Sequence, residues 1–471
     1  MKSTRSNWRF RGAGPGLVCL GLLAAGCSTY RAMPLDGASA GPGPGGPATD
    51  SVRIAAAQLH HPLLAPMVID GKGGFTPEEV AAIVAVVDPG LRALRDQRGV
   101  AEAQVIQAGI LPNPQLGYSV DWPHGTYSPA VVAGRSLGLS WEVTSLLSHG
   151  DQVASARAGA SAVDLSVAWQ EWLAAQEARM RAYRILSLER RVPLARTIED
   201  GLADTLSLTR KAVTLRLRTT TDLTSAAEAW SQSQDARFEL ERQLAAERAA
   251  LNLSLGMAPG DRVPLRVANG RPQSGPDSTP DAGALLKDIE ERRLDLVALR
   301  YGYESEEASL RAAVMAQFPK IGLSVNKAND TTPIYTRGVG VTLDLPVFDR
   351  NQGQIALGRA TRQQLFDEYS ARVAEARSQV LQALENLGIA RSQLATADSS
   401  IPDLERLVSS YENARKSGNA DEFAYRDARA ALATRQIERE MLSQQVLELE
   451  VALEIATGRP SLDGGPSRDP L

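Results

Sequence analysis

Little in this chain could do covalent chemistry on a substrate. Its four histidines are His60, His61, His124 and His149, and only the first two adjoin. No His-Glu-x-x-His, cysteine pair or phosphate-cradling glycine loop occurs. The seven methionines are scattered and form no relay for a soft metal. No enzyme activity, cofactor or resident metal is expected. Two other kinds of side chain can act. Cys27 is a nucleophilic thiol at the end of an apolar run. Asp121, Glu142 and Asp344 are carboxylates in alternating, strand-like stretches, where they could tune the wall of a water-filled passage or simply be solvated by it. The net charge of −4 shows no basic excess, so nucleic acid is not an expected partner.

The N-terminus reads as an export signal. Lys2, Arg5, Arg9 and Arg11 precede a run from Leu17 to Ala25 that is too short to span a bilayer. The stretch Leu22-Leu-Ala-Ala-Gly-Cys27-Ser28 resembles a bacterial lipobox. That resemblance implies removal of residues 1–26, acylation of Cys27 and an exported lipoprotein. Ser28 is compatible with outer-membrane sorting, and Cys19 would leave with the signal. Residues 27–75, with Gly41-Pro-Gly-Pro-Gly-Gly-Pro47, predict a lipidated, flexible tether.

The carboxylates need elements to hold them. In Val339 to Leu345, apolar side chains alternate with Gly340, Thr342 and Asp344, as in a strand with one apolar face. The period then changes. Tyr369, Val373, Ala376, Val380, Ala383, Leu387, Ala390, Leu394, Ala397, Ile401, Leu404, Val408 and Tyr411 form a heptad seam. A helix from about 351 to 417 would be on the order of 100 Å long. Upstream, the same programme occurs with strands near 115–122 and 135–145 and a long helix near 150–215. Gly138 matches Gly340, and Leu255-Gly256 matches Thr457-Gly458, at one offset (340 − 138 = 202). The chain is therefore a duplication of helix, two strands, long helix and return helix. The copies span 76–268 and 282–460, with strands near 320–327 and 337–347 in the second. A Pro/Gly/Ser-rich linker covers 269–281, and 461–471 form a disordered tail. Asp222 is the expected cap of the first return helix, and a single helix is expected from about 281 to 317. Glu171, Arg181 and Glu199 interrupt the first seam, and Pro193 and Pro402 should bend or break the long helices.

Each copy offers two strands of membrane-crossing length, and lipid tolerates no open sheet edge. A homotrimer would supply enough strands for a barrel. The expected fold class is mainly α with a small β part, in a trimer that would form a 12-stranded transmembrane barrel continued by a helical barrel, which the resemblance below places in the periplasm. On Leu111-Pro-Asn-Pro114, Leu345-Pro-Val-Phe-Asp-Arg-Asn-Gln-Gly353, Tyr411 with Gly418-Asn419, and the duplication, the chain resembles the TolC-type outer-membrane efflux channels. It looks closest to the lipoprotein members serving tripartite RND-type pumps, including the cation and heavy-metal branch. The resemblance implies an outer-membrane duct reaching into the periplasm of a Gram-negative bacterium. It also implies a periplasmic adaptor and an inner-membrane transporter as partners. The turns carrying Arg216 and Arg218, and Arg415, Lys416, Gly418 and Asn419, would form the adaptor-docking tip, with Tyr411 and Asp427 at its gate. The outer component of a type I-like protein secretion system and a non-channel coiled-coil lipoprotein are the alternatives.

Overall fold

The structure is a computed structural model that describes residues 30–35, 49–71, 73–125, 131–267, 281–332, 334–417 and 422–459. Cys27, Gly418, Asn419, the signal segment, the Gly-Pro run and the tail lie outside the described residues, as does the linker up to residue 280. The chain divides into units Met1–Gly43 and Pro44–Leu471. In the first, residues 30–35 are exposed and carry no helix or strand. All further description concerns the second.

Helix α1 spans Asp50–Ala57, α2 Pro77–Val87 and α3 Pro89–Gly109. Strands β1 (Gln115–Asp121) and β2 (Gly134–Glu142) follow. Helix α4, Ser145–Thr214, has 70 residues, a length of about 105 Å. The return helix α5 is Thr220–Ser254. Three short segments come next: α6 (Ala282–Leu286), α7 (Ile289–Arg292) and α8 (Leu294–Met315). Strands β3 (Lys320–Asn329) and β4 (Tyr335–Asp344) precede α9, Gln352–Lys416, and α10, Glu422–Thr457. The four strands make one antiparallel sheet in chain order, with β2 paired to β3 across the two copies.

Local chemistry explains most of the boundaries. Thr76 and Glu79 close a reciprocal capping box at the start of α2, with Pro77 in the first turn. Asp88 ends α2 and caps α3 by accepting from Gly90 and Leu91. Helices α5 and α10 end alike. Gly256 (φ +64°) and Gly458 (φ +66°) take the left-handed conformation. The next N–H reaches back five residues, from Met257 to Asn252 and from Arg459 to Glu454.

The seam of α9 buries Val373, Ala376, Val380, Ala383, Leu387 and Ala390 against Val446 and Leu453 of α10 and Leu285, Ile289 and Leu296. Alternating alanines let the helix axes approach closely. The matching stripe of α4 buries Ile185, Leu188, Val192, Ala195 and Leu206.

Three expectations need correction. The tether does not extend to residue 75. Val52 and Ala56, one turn apart on α1, enter a core with Ile69, Phe75, Ile83, Val84, Ala178 and Ile185. The helix expected over 281–317 is three pieces. Arg293 is extended and 4% exposed. It gives a two-bond fork to Asp295, bonds Gln379 at 2.9 Å and lies over the Trp169 ring. That inward position breaks the helix. Asp222 is not the first cap of α5. Thr219 holds that position, and Asp222 is its partner three residues on. Helices α4 and α9 run through Pro193 and Pro402 without ending, so neither proline marks a break.

The two glycine caps differ in their surroundings. A Cβ at Gly458 would lie 3.0 Å from the Arg292 carbonyl oxygen, whereas at Gly256 its nearest neighbour is Pro89 Cγ at 3.5 Å. Alanine at either position incurs about 1–2 kcal/mol for its left-handed backbone. Gly458→Ala adds a backbone collision, so its unfolding temperature is expected to fall further than that of Gly256→Ala. Equal shifts in thermal melts would argue against this packing.

Candidate functional site

Antiparallel pairing puts register partners on the same face, so the sheet has two sharply different surfaces. One carries Gln115, Gly117, Ser119 and Asp121 from β1, and Ser136, Gly138, Ser140 and Glu142 from β2. Gly322, Ser324 and Asn326 from β3, and Gly338, Gly340, Thr342 and Asp344 from β4, continue it. Ser119 and Ser136 are hydrogen-bonded across it at 2.9 Å. The other surface carries Leu116, Leu139, Trp141, Leu323, Val325, Val339, Val341 and Leu343. Val339 is 88% exposed and Val341 72%. Monomeric soluble proteins rarely leave so continuous an apolar patch in water. The Trp141 ring N–H is satisfied by the Pro112 carbonyl at 2.7 Å, which is how the Leu-Pro-Asn-Pro breaker meets the sheet. Among the described residues, strands β1 and β4 each have an edge without a partner strand.

The three carboxylates share the polar surface but not a role. Asp121 stands opposite Gly134 and is exposed. Glu142 accepts from the Ser145 N–H at 3.0 Å, so it serves the strand-to-helix turn at the start of α4. Asp344 faces Lys320, its register partner, which offsets its charge. Sequence reasoning missed Lys320. Its place on this face could have been found from alternation with Gly322 and Ser324.

The far ends of α4 and α9 bring both copies together. Arg216, the repeat mate of Gly418, has φ +54°. Its neighbour Leu217 donates back to Ala212 at 2.8 Å, so a charged residue performs the glycine turn. Arg218 lies over the Phe423 ring at 5.4 Å and Arg415 over Tyr425 at 5.0 Å. Lys416 pairs with Glu412 at 3.0 Å, and Arg426 of α10 pairs with Asp204 of α4. Tyr411 is half-buried and Asp427 exposed. No hydrogen bond joins them among the described residues.

Midway along the helices, the residues that interrupted the seam are paired. Glu171 takes Arg95 and Arg98 from α3. Arg181 pairs with Glu247 at 3.1 Å, and Glu199 with Arg237. That Arg237 bond is the main reason the Glu199 carboxyl sits below its usual range. Beside Glu171, buried His61 donates from Nε2 to the Ala168 carbonyl at 2.9 Å. Its Nδ1 accepts from the Leu63 and Leu64 N–H groups at 3.0 Å. Burial lowers its pKa below 6.5, which keeps the ring neutral. His61 is thus a core residue rather than part of a tether. Among the described residues, no group of three or more His, Cys, Asp or Glu could hold a metal ion, and no helix is long and apolar enough to cross a membrane.

The copies are also joined by a buried ion pair. Arg179 of α4 donates to Glu454 of α10 at 2.6 Å, with Glu78 of α2 at 3.6 Å. Burial alone would depress the guanidinium, but Glu454 and Tyr183 carry its pKa above the ordinary value. Glu454→Gln leaves that buried charge short of a partner, and about 3 kcal/mol of stability is expected to be lost. Replacing both residues by Met should recover most of it in thermal unfolding. If the double variant melts no higher than Glu454→Gln, the pair is not the linkage.

The family model for outer membrane efflux proteins matches residues 285–459, which lie in the second copy. The cobalt-zinc-cadmium resistance protein CzcC of Cupriavidus metallidurans is 25% identical over 69% of this chain and 76% of its own length. The outer membrane protein OprJ of Pseudomonas aeruginosa is 28% identical over 55% of this chain and 58% of its own. The CmeC outer membrane channel of Campylobacter jejuni shares the fold, with a TM-score of 0.66 at 12% identity over 83% of this chain and 87% of that one. With two like copies, each joining a strand pair to a long helix and its return helix, the chain is similar to outer membrane efflux proteins, through the family model over its second copy and through both relatives.

Proposed function

We propose that the protein is the exit duct of a tripartite efflux pump, a passive conduit assembled from three copies. The observation that carries this reading is the sheet itself. It has four strands, an exposed apolar band across one face, and, among the described residues, an edge without a partner strand on β1 and on β4. In hydrocarbon such edges must pair, and β4 of one copy against β1 of the next closes a ring. The polar face then lines a water-filled lumen, where Asp121, opposite Gly134, favours cations modestly. Helices α4, α5, α9 and α10 continue the wall into the periplasm, and the turn end holding Arg218 and Arg415 meets a periplasmic adaptor. An inner-membrane transporter supplies substrate and selects it. Acylation of Cys27 anchors the N-terminus in the same membrane.

The test is the native mass of the detergent-extracted protein with any acyl chains retained. Three copies per particle, recovered from the outer membrane, are expected. A monomer or dimer, extractable only through its lipid, would remove the barrel and leave a tethered helical spacer. The two faces give an independent check. Val341→Arg places charge on the lipid side at about 2–4 kcal/mol per chain, so trimer yield should collapse. Thr342→Arg points into the lumen and should assemble. Equal yields would contradict the assignment of faces.

A further inference from the structure

The apolar face does not stay apolar along its whole height. Cross-sheet rows run Leu116–Leu139–Val325–Val339, then Tyr118–Leu137–Lys327–Arg337, then Val120–Arg135–Asn329–Tyr335. The last two rows hold three cations. Lys327 and Arg337 are direct register partners. Arg135 pairs with Asn329, and Lys327 with Leu137, so Arg135 and Lys327 are diagonal neighbours about 7–8 Å apart. All three are exposed and form no ion pair among the described residues.

No carboxylate is placed to neutralise them. The two hairpins and their loops carry only Asp121, Glu142, Asp330 and Asp344. Asp121, Glu142 and Asp344 share the opposite face. Asp330, in the loop, accepts from the Thr331 N–H and hydroxyl and from Thr332. Like charges directly opposite on a sheet repel, so this arrangement needs an anion from outside the chain. Its level is also marked. Both hairpin loops leave the sheet here, and every helix joins at the other end. Tyr118, Trp122 and Tyr335 are 65%, 69% and 76% exposed beside the cations, as amphipathic aromatics are at a membrane interface.

We infer that Arg135, Lys327 and Arg337 form a binding band for the anionic phosphate groups of lipids in the outer leaflet. The band rests on the barrel reading, which puts the helices in the periplasm and the hairpin loops at the outer surface. A guanidinium matches phosphate oxygens in a two-bond fork, and the ammonium of Lys327 adds a point charge. Acyl chains lie along Leu137, Leu139, Val325 and Val339 directly below. The ligand is therefore an amphiphile, because free phosphate would leave those rows unused. Each chain contributes three cations, and in a trimer they recur around the barrel as a charged collar. The band would hold the barrel at a fixed depth and tighten its outer rim.

The test is native mass spectrometry and thermal melting of the purified full-length protein with three probes: lipid A, the same lipid with its phosphates removed, and inorganic phosphate. The wild-type trimer should retain lipid A at least several-fold more than the dephosphorylated form and melt higher with it. Inorganic phosphate should give no shift. Arg135→Gln with Lys327→Gln and Arg337→Gln should bring lipid A retention down to that of the dephosphorylated lipid. Equal retention of both lipids by the wild-type trimer would overturn the inference, and that comparison needs no variant. Undiminished retention by an assembled triple variant would also overturn it, as would a phosphate shift equal to that of lipid A. The same spectra report subunit number, so particles that are not trimeric would instead sink the barrel reading.

Discussion

In hydrocarbon, no water is available to a backbone N–H or C=O, and every one must find a partner within protein. In the proposed barrel, that constraint bears hardest on the four-stranded sheet, whose outer strands each keep one edge without a partner strand among the described residues. The apolar surface is of little use in water, and the polar surface of little use in lipid. In the proposed barrel, closure with other copies gives both surfaces their solvents at once. The helices follow from the same requirement. They leave the sheet at one end, so in the proposed duct the wall continues only where the strands stop.

The copies keep the same geometry by different chemistry. In the second, alanine and leucine pack α9 on α10. In the first, three seam positions are charged, and each is satisfied by a partner from a neighbouring helix. A hydrophobic seam suits two helices packed face to face. Helix α4 packs not only on its return helix but also on α2, α3, α8 and α10. Its charges meet neighbours on several sides, as where Arg179 reaches both Glu78 and Glu454. Such pairs add less to stability than apolar contacts of equal volume, but they penalise a helix that slides out of register.

The turn end shows how far divergence can go within fixed geometry. Arg216 adopts the conformation ordinarily left to glycine, at a cost of about 1–2 kcal/mol. The adjacent Arg218 crosses to Phe423 of the other copy. Together with the Arg426–Asp204 pair, this ties two hairpins of helices into one end.

Much of this was legible in the sequence, for a definite reason. Period-two and heptad patterns are set by backbone geometry, so Val339 to Leu343 and Val373 to Ala390 reveal which face each presents without any neighbour being known. Duplication likewise showed that both long helices must reach equally far. Boundaries set by one or two local hydrogen bonds, such as Thr76 with Glu79, were also readable. What tertiary structure decided were the positions whose state depends on a distant partner. His61 is core because Ala168 and Glu171 meet it. Arg293 breaks a helix because Asp295, Gln379 and Trp169 draw it inward. Glu142 and Asp344, identical in pattern, part company because one caps α4 and the other faces Lys320. The collar of Arg135, Lys327 and Arg337 exists only through the pairing of β2, β3 and β4. Residues 192 positions apart in the chain, Arg135 and Lys327, become neighbours by strand register alone (327 − 135).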